Sequence, residues 1–421
     1  MDHVVERGVS NSTYAVVAHH YWNRPGGGEL VCASAAKAFE LAGFRPVLVS
    51  PVRIHVERYP EWFGIDLSSY PKIDLGIELR AFGLYLRLLN GVAIRAALRR
   101  FREGLVFTDN PTYRGVVKGA VKIVEYIHFP FETLFKLGFT GSSYLEDPYF
   151  AQRYSKFPMN MYFRAYLELL KRFSRENPFD VAGLVLANSR WTAELAGRIY
   201  GEEPEVLNPP IPPNVEVVKE PKPFEVRGDV VVMVGRFSEE KRYHWVVQEV
   251  LPRLRRVCGA VRLYIFGSTG TRTSRAYRSR LAEAAKSAGF KVSAEPGTEA
   301  DVYLVENAPR KVINEVMDRA KVFLHATINE HWGIAVAEAM ARGLPVVVHR
   351  SGGTWSDLAG EGSYGVGYTT AEEATEAVAK LLTDRGGWSY YSKKSTERAL
   401  GLTLDRFTGR FTELLKKVGG G

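Results

Sequence analysis

Residues 321–348 read KVFLHATINEHWGIAVAEAMARGLPVVV, and this stretch decides the fold class. Two apolar runs of strand length, Lys321–His325 and Pro345–Val348, flank a polar turn and a segment with helical periodicity. A strand, a helix and a second strand in this order predict a parallel βαβ unit.

The same alternation of strand-length runs and helix-period segments extends along the whole chain. The other runs that read as buried strands are Tyr14–Ala18, Pro46–Val49, Leu105–Thr108, Lys122–Ile127, Gly183–Ala187, Val230–Val234, Val261–Phe266 and Asp301–Val305. This pattern predicts an α/β protein with two doubly wound parallel sheets.

A proline-rich segment separates the two predicted sheets. Residues 208–214 read NPPIPPN, and Pro221 and Pro223 follow. Because proline can sustain neither a helix interior nor a central strand, the segment predicts a linker. We therefore expect an N-terminal domain over 1–208 and a C-terminal domain over 209–387, which suits a chain of 421 residues.

The charge and cysteine content narrow the class of protein. Lys and Arg total 56 against 47 Asp and Glu, and the net charge of +9 favours anionic partners such as nucleotides or phospholipids. No basic-aromatic motif accompanies this charge, so we expect no nucleic-acid partner.

Cys32 and Cys258 lie outside any C-x-x-C pattern, which indicates a reducing cytoplasm. Without a signal peptide or an apolar run of about 18 residues, the sequence predicts neither export nor membrane insertion.

Two carboxylates stand eight positions apart in the opening stretch, at Glu330 and Glu338. Glu330 is predicted in the turn after a strand and Glu338 one to two turns into the next helix, on the same side. They could bracket a ligand with sugar hydroxyls at one end and ribose hydroxyls at the other. Gly333 and Ile334 would take the first helical positions, where free N–H groups and the positive dipole end suit a diphosphate.

A second cluster follows the strand Val230–Val234. Gly235 ends this strand, and Arg236 and Lys241 could together neutralise a pyrophosphate leaving group in place of Mg²⁺. The alternative is a surface pair of these cations with Glu239 or Glu240. Since the sequence contains no Asp-x-Asp clamp, we expect no metal and no other cofactor.

Two features of the first half are weaker signals. The turn at 22–29 reads WNRPGGGE, and Gly27 and Gly28 would offer bare amides to a ligand, although such a turn also serves as a plain tight connection. His128 follows a predicted strand and could reach a ligand at the sheet edge, as could His19 and His20, or each could make a structural hydrogen bond.

The region Glu78–Arg102 is predicted to be helical and contains six arginines among apolar residues. A helix of this kind could lie on an anionic lipid surface. An ordinary surface helix with a solvated cationic face is the alternative.

Taken together, these motifs resemble the retaining glycosyltransferases of family 4. The E-x₇-E signature from Glu330 to Glu338 is the most specific, and Gly235-Arg236-Phe237 with Lys241, the segment ANSRWT at 187–192 and the early glycine turn support it. The resemblance implies the GT-B fold, in which two Rossmann-like domains face each other across a cleft. It also implies that the final helical segment, 388–418, packs back on the first domain.

Three further segments are similar to the lipid-linked-oligosaccharide α-1,2-mannosyltransferases. They are YIHFP at 126–130, EHWGI at 330–334 and HRSGGTW at 349–355. The resemblance implies transfer of mannose from GDP-mannose to a lipid-linked glycan. Because the sequence has no run long enough to span a membrane, we expect a peripheral protein at the cytoplasmic membrane face.

The resemblance also assigns roles to the candidate residues. Glu330 would contact the donor sugar, Glu338 the ribose, Arg236 and Lys241 the phosphates, and His128 the transferred sugar. Backbone amides would come from Gly27, Gly28, Gly333 and Ile334. Another nucleotide sugar, a GT-B nucleotide-sugar epimerase and a non-enzymatic basic membrane-surface protein remain alternatives.

Overall fold

The computed structural model describes residues 13–78, 83–101, 104–117, 122–133, 157–173 and 175–419. Over these residues, fourteen strands form two seven-stranded parallel sheets. The first sheet has the order β3-β2-β1-β4-β5-β6-β7. Its strands are β1 (Tyr14–Ala18), β2 (Arg45–Val52), β3 (Lys72–Ile77), β4 (Gly104–Thr108), β5 (Lys122–Ile127), β6 (Leu184–Ala187) and β7 (Glu205–Val206).

The second sheet has the order β10-β11-β9-β8-β12-β13-β14. Its strands are β8 (Val230–Val234), β9 (Arg262–Gly267), β10 (Val292–Ser293), β11 (Val302–Glu306), β12 (Val322–His325), β13 (Val346–His349) and β14 (Val366–Tyr368).

Helices connect the strands in both sheets. In the first half these are α1 (Gly27–Leu41), α2 (Tyr59–Phe63), α3 (Gly83–Leu88), α4 (Asn90–Leu98), α5 (Met159–Phe173), α6 (Pro178–Val181) and α7 (Arg190–Tyr200). In the second half they are α8 (Tyr243–Trp245), α9 (Leu251–Cys258), α10 (Arg272–Ser287), α11 (Arg310–Met317), α12 (Ile334–Ala341), α13 (Ala371–Thr383), α14 (Arg385–Leu400) and α15 (Leu404–Gly419). A π-helical turn at Val246–Val250 joins α8 to α9.

The prediction of an α/β fold with parallel sheets is confirmed, and every predicted strand forms with small shifts at its ends. The structure adds β3, β7, β10 and β14, which are the four edge strands of the two sheets. These strands are short or only half-buried, so they carry no continuous apolar run that would mark them in the sequence.

Both faces of the second sheet are buried in apolar cores. Along β8, Val231 and Met233 belong to one core, and Val230 and Val232 belong to the other. Alternate residues of a strand point to opposite faces, so helices cover the sheet on both sides. Polar chemistry is therefore expected at the carboxyl ends of the strands.

The chain divides into two compact units, one of residues 1–126, 169–186 and 407–421 and one of 127–168 and 187–406. The proline-rich segment lies in the second unit, where Ile211 and Val215 are buried in a core. The predicted helical segment 388–418 is two helices, α14 and α15, and only the part from Phe407 onward belongs to the first unit. There Phe411 contacts Phe39 and Phe107.

The basic region Glu78–Arg102 contains the two short helices α3 and α4, and its residues 79–82 and 102 lie outside the described residues. Ala93, Ile94 and Ala97 of α4 are buried, and Arg95 is exposed. Across the described chain, none of the helices combines the length and apolar character that crossing a bilayer requires.

Candidate active site

Three neighbouring strands of the second sheet position the candidate site. β8, β12 and β13 are adjacent and parallel, so their carboxyl ends lie at the same edge of the sheet. Gly235 follows β8, His325 ends β12 and His349 ends β13. The loops that leave this edge carry Lys241 and Glu330.

Lys241 and Glu330 form an ion pair at this edge, although they are far apart in sequence. Lys241 Nζ lies 2.5 Å from Glu330 Oε2, and each side chain is 18% exposed. His325 Nε2 lies 3.2 Å from the same oxygen. Burial favours the protonated form, but the charge of Lys241 and the hydrogen bond from His325 hold the pKa of Glu330 well below its usual value. Glu330 is therefore a carboxylate at neutral pH.

The loop after β13 holds the turn that carries Glu330. The Asn329 N–H donates to Ser351 Oγ at 2.7 Å, and the Gly353 N–H donates to the Glu330 carbonyl at 2.8 Å. A Cβ on Gly352, whose φ is +70°, would lie 2.3 Å from the Glu330 carbonyl oxygen. A Cβ on Gly353 would lie 2.1 Å from the His331 carbonyl oxygen. Only a pair of glycines allows this approach.

Gly235 leaves room for the side chains of Tyr243 and Lys241. A Cβ on Gly235 would lie 2.8 Å from the Tyr243 hydroxyl and 3.3 Å from Lys241 Cε. Arg236 is placed differently, since its side chain is 60% exposed and its Nη2 lies 3.0 Å from Glu240 Oε1. The two predicted phosphate ligands therefore have different partners. Arg236 forms the surface pair with Glu240 that was the alternative prediction, and Lys241 pairs with Glu330.

The helix that follows Glu330 begins one residue later than predicted. Gly333 caps α12 in a left-handed conformation with φ of 94°, and Ile334 is the first helical residue. A Cβ on Gly333 would lie 2.6 Å from Thr354 Cγ2, which gives a second reason for glycine here. The helix start stays a predicted diphosphate site, with Ile334 rather than Gly333 as its first helical position.

Glu338 lies in α12 and forms a bidentate pair with Arg310. Arg310 Nη1 and Nη2 donate to the two carboxylate oxygens, each at 2.8 Å. The Glu338 side chain is 5% exposed and that of Arg310 is 28% exposed. The structure therefore gives Glu330 and Glu338 separate partners. Nothing near Glu338 in the sequence indicates Arg310, which comes from the start of α11.

If Glu338 binds the ribose of a nucleotide-sugar donor, as the resemblance implies, Arg310→Ala should raise the KM for that donor about tenfold with little change in kcat. The bidentate pair orients Glu338, and a hydrogen bond to a charged group is worth about 1.5–3 kcal/mol. A ribose contact acts equally in the ground state and the transition state, so it affects KM rather than kcat. Steady-state kinetics test this, with Arg385→Ala, an exposed arginine paired with Glu225, as control. An unchanged KM would contradict the ribose role of Glu338.

His128 lies beside a stack of rings next to Glu330. Its carbonyl accepts a hydrogen bond from Asn188 Nδ2 at 3.0 Å. Phe129, the next residue, stacks on His331 with ring centroids 4.4 Å apart and planes at 9°, and Trp191 stacks on His331 at 5.8 Å. Burial lowers the pKa of His331 to about 4, so this ring is neutral. Through this stack, Phe129, which follows His128, packs against His331, which follows Glu330.

Gly27 and Gly28 lie in the first unit, where they start α1. Nearby, His19 Nδ1 lies 2.8 Å from Asp109 Oδ2, and its Nε2 lies 3.8 Å from Glu29 Oε1. Burial opposes the charged imidazole, but Asp109 raises the pKa of His19 well above its usual value. Arg24 pairs with Glu29 at 3.0 Å. His19 and Arg24 thus balance the two carboxylates.

The described residues contain one group that could hold a metal ion, His19, Cys32 and Asp109, whose donor atoms lie within 4.8 Å of one another. Burial raises the pKa of the Cys32 thiol to about 12, so it stays protonated at neutral pH. Around this group, charges of opposite sign balance: His19 faces Asp109 and Glu29, and Arg24 pairs with Glu29. His20, the other histidine at this strand end, lies 3.3 Å from Arg87 Nε through its Nε2.

Comparison with solved structures identifies the architecture. The chain superimposes on the Anabaena HepE protein, solved with UDP and glucose, with a TM-score of 0.65 at 17% identity, covering 96% of this chain and 99% of HepE. A sucrose-phosphate synthase of Thermosynechococcus elongatus gives a TM-score of 0.68 at 16% identity, covering 97% of this chain and 99% of that one. The fold is GT-B. At these identities the likeness shows the fold alone.

A sequence model described as "Glycosyl transferases group 1" matches residues 228–384. The matched segment is the second sheet with its helices, and it contains Lys241, Glu330 and Glu338. The GT-B part of the predicted resemblance is confirmed, and the assignment to family 4 stays a prediction.

Curated relatives carry the name GDP-Man:Man(3)GlcNAc(2)-PP-Dol alpha-1,2-mannosyltransferase. The Candida albicans protein is 25% identical over 384 residues, covering 81% of this chain and 61% of its own length. The Candida glabrata protein is 29% identical over 184 residues, covering 42% and 34%, and the human protein is 24% identical over 212 residues, covering 48% and 41%. The chain thus spans less than two thirds of the length of these relatives.

Proposed function

We propose that this chain is a retaining α-mannosyltransferase that moves mannose from GDP-mannose to a lipid-linked oligosaccharide. The observation that carries the proposal is the Glu330 carboxylate, held ionised beside Lys241 at the carboxyl edge of the second sheet. This site lies inside the segment that matches the glycosyltransferase family. The names of the curated relatives support GDP-mannose and the lipid-linked acceptor.

The geometry suggests how each group acts. Glu330 accepts hydrogen bonds from hydroxyls of the donor sugar, which fixes the sugar ring. Lys241, with the amides at the start of α12, stabilises the negative charge that develops on the diphosphate as the C1–O bond breaks. Arg236 can join Lys241 by leaving Glu240, because its side chain is exposed.

Retention follows from attack on the face that the diphosphate leaves. The sugar passes through an oxocarbenium-like state, and a phosphate oxygen takes the proton of the acceptor hydroxyl as the new C1–O bond forms. Glu330 accepts hydrogen bonds and stays ionised, so it has no proton to donate and does not act as a general acid. We assign to His128, which precedes Phe129 of the Phe129–His331 stack, the contact with the transferred sugar.

The acceptor side of the proposal includes the membrane. A lipid-linked glycan is reached from the bilayer surface, and the exposed arginines of the α3–α4 region suit anionic headgroups on the cytoplasmic face. Sedimentation with anionic and neutral vesicles tests this contact.

The activity test supplies GDP-, UDP- and ADP-sugars with and without a lipid-linked Man3GlcNAc2 acceptor. We expect mannose transfer from GDP-mannose, detected by mass spectrometry of the glycan, with retention at C1. Conversion of a donor without acceptor would instead indicate an epimerase. No transfer from any donor would overturn the proposal.

We expect transfer to continue at the same rate in EDTA. Lys241 and the start of α12 supply the positive charge that Mg²⁺ supplies in enzymes with a carboxylate clamp, and the sequence has no Asp-x-Asp. Initial rates with EDTA and with added Mg²⁺ measure this. Loss of activity in EDTA that Mg²⁺ restores would contradict the metal-free mechanism.

A further inference from the structure

We propose that His325 is a positioning residue that keeps Glu330 in place when Lys241 turns to the donor diphosphate. The inference rests on the proposed function, because it concerns the carboxylate that would contact the donor sugar. It assigns a role to a residue that lies outside the E-x₇-E signature and outside the cluster around Gly235.

The first step is that one oxygen of Glu330 has two donors. Lys241 Nζ lies 2.5 Å from Oε2, and His325 Nε2 lies 3.2 Å from it. Without donor, the shorter contact with Lys241 dominates. A diphosphate competes for the same ammonium group, since a lysine is a compact charge on a flexible stem and phosphate oxygens bind it strongly. Donor binding therefore weakens the main contact of Glu330.

The second step is that His325 stays where it is. It is the last residue of β12, and its register partner on β13 is Val348. Its side chain is buried, and its carbonyl accepts a hydrogen bond from the Tyr368 hydroxyl at 3.0 Å. A residue fixed by a strand and by burial cannot follow the diphosphate as Lys241 can. It remains as the donor to Glu330.

The third step concerns protonation. Burial lowers the pKa of His325, although its contact with Glu330 acts in the opposite direction. The neutral imidazole has a single N–H, and since ionised Glu330 can only accept, that proton lies on Nε2. A neutral donor orients the carboxylate without adding a cation that would compete with Lys241 for phosphate.

These steps predict the effect of removing the N–H of His325. Glu330 would keep its place in the resting protein through Lys241, and would lose orientation when the sugar donor engages Lys241. A misplacement of about 1 Å can lower a rate about 100-fold. The loss should appear in kcat, because the diphosphate contacts that dominate donor binding remain.

The experiment compares His325→Phe, which fills the space without a donor, with His325→Gln, which restores an N–H. We expect kcat for mannose transfer to fall about 100-fold in His325→Phe and to recover at least tenfold in His325→Gln. The KM for GDP-mannose should change little in both. His55→Phe, an exposed histidine of the first unit, is the matched control. Thermal unfolding of each variant separates loss of fold from loss of rate.

A second arm asks whether His325 acts through Glu330. In a Glu330→Gln background, His325→Phe should lower the rate no further, because the group it positions is already changed. Equal kcat in His325→Phe and the unmodified chain would overturn the inference, as would equal loss in the Phe and Gln variants with both folded. If the unmodified chain transfers no sugar, the proposed function fails and the inference fails with it; normal transfer with an unaffected His325→Phe variant refutes the inference alone.

Discussion

Glu330→Ala should lower sugar transfer about 10³-fold or more while the protein still binds GDP. In the proposed site, Glu330 contacts the donor sugar and Lys241 contacts the diphosphate, so removing the carboxylate leaves nucleotide affinity largely intact. Loss of one preorganised polar contact in an active site costs about 10²–10³ in rate, and alanine also removes the orientation of the sugar ring. Transfer kinetics and calorimetric titration with GDP measure the two effects.

Two further variants sharpen this prediction. Glu330→Gln keeps the shape of the side chain and should lose most of the activity, because an amide accepts fewer hydrogen bonds than a carboxylate. Glu283→Ala removes an exposed glutamate paired with Lys286 and should transfer at the normal rate. Full transfer by folded Glu330→Ala would refute the assignment of the site.

Lys241→Ala should weaken both donor binding and turnover, each by about 10–100-fold. The ammonium group would contact the diphosphate in the ground state and stabilise the greater charge of the transition state, so it affects KM and kcat together. Lys286→Ala, an exposed lysine in the same unit, is the control. Arg236→Ala should have a smaller effect, because Arg236 faces solvent beside Glu240. Unchanged affinity for GDP in Lys241→Ala would contradict the phosphate role.

Lys241→Ala should also change how the free energy of unfolding depends on pH. The pKa of Glu330 is lower in the folded state than in the unfolded state, where it is about 4.3. The ionised carboxylate therefore stabilises the fold above about pH 4.3, and this stabilisation is lost as the pH falls through the lower folded-state pKa. Removing the charge of Lys241 makes this lowering of the Glu330 pKa smaller. The free energy of unfolding of Lys241→Ala should therefore depend less on pH below about 4.3 than that of the unmodified chain.

The strands that could be predicted from sequence are those whose residues are buried on both faces. Val230–Val234 is such a strand, and its predicted bounds match the structure. Lys72–Ile77 is absent from the predicted strands because it lies at an edge, where its residues are partly exposed and include Lys72 and Asp74. Hydrophobic patterning reflects burial, so it predicts the central strands of a sheet and gives no signal for the edge strands.

The candidate site divides in a similar way. Lys241 and Glu330 could be predicted because each follows a strand end, and parallel strands bring such ends to one edge. His325 carried a weaker signal, as a histidine that ends the strand before Glu330. Arg310 carried none, because its pairing with Glu338 depends on how α11 packs beside α12, which local sequence does not specify.

The two adjacent glycines after β13 set a limit on attempts to redesign this protein. Any side chain on Gly352 or Gly353 would collide with the backbone of Glu330 or His331. A mutant library intended to accept new donors should therefore hold both positions constant and diversify side chains elsewhere around the sheet edge. Variation at the glycines would displace the turn that carries Glu330, and if Glu330 acts as proposed, most members of such a library would be inactive for every sugar.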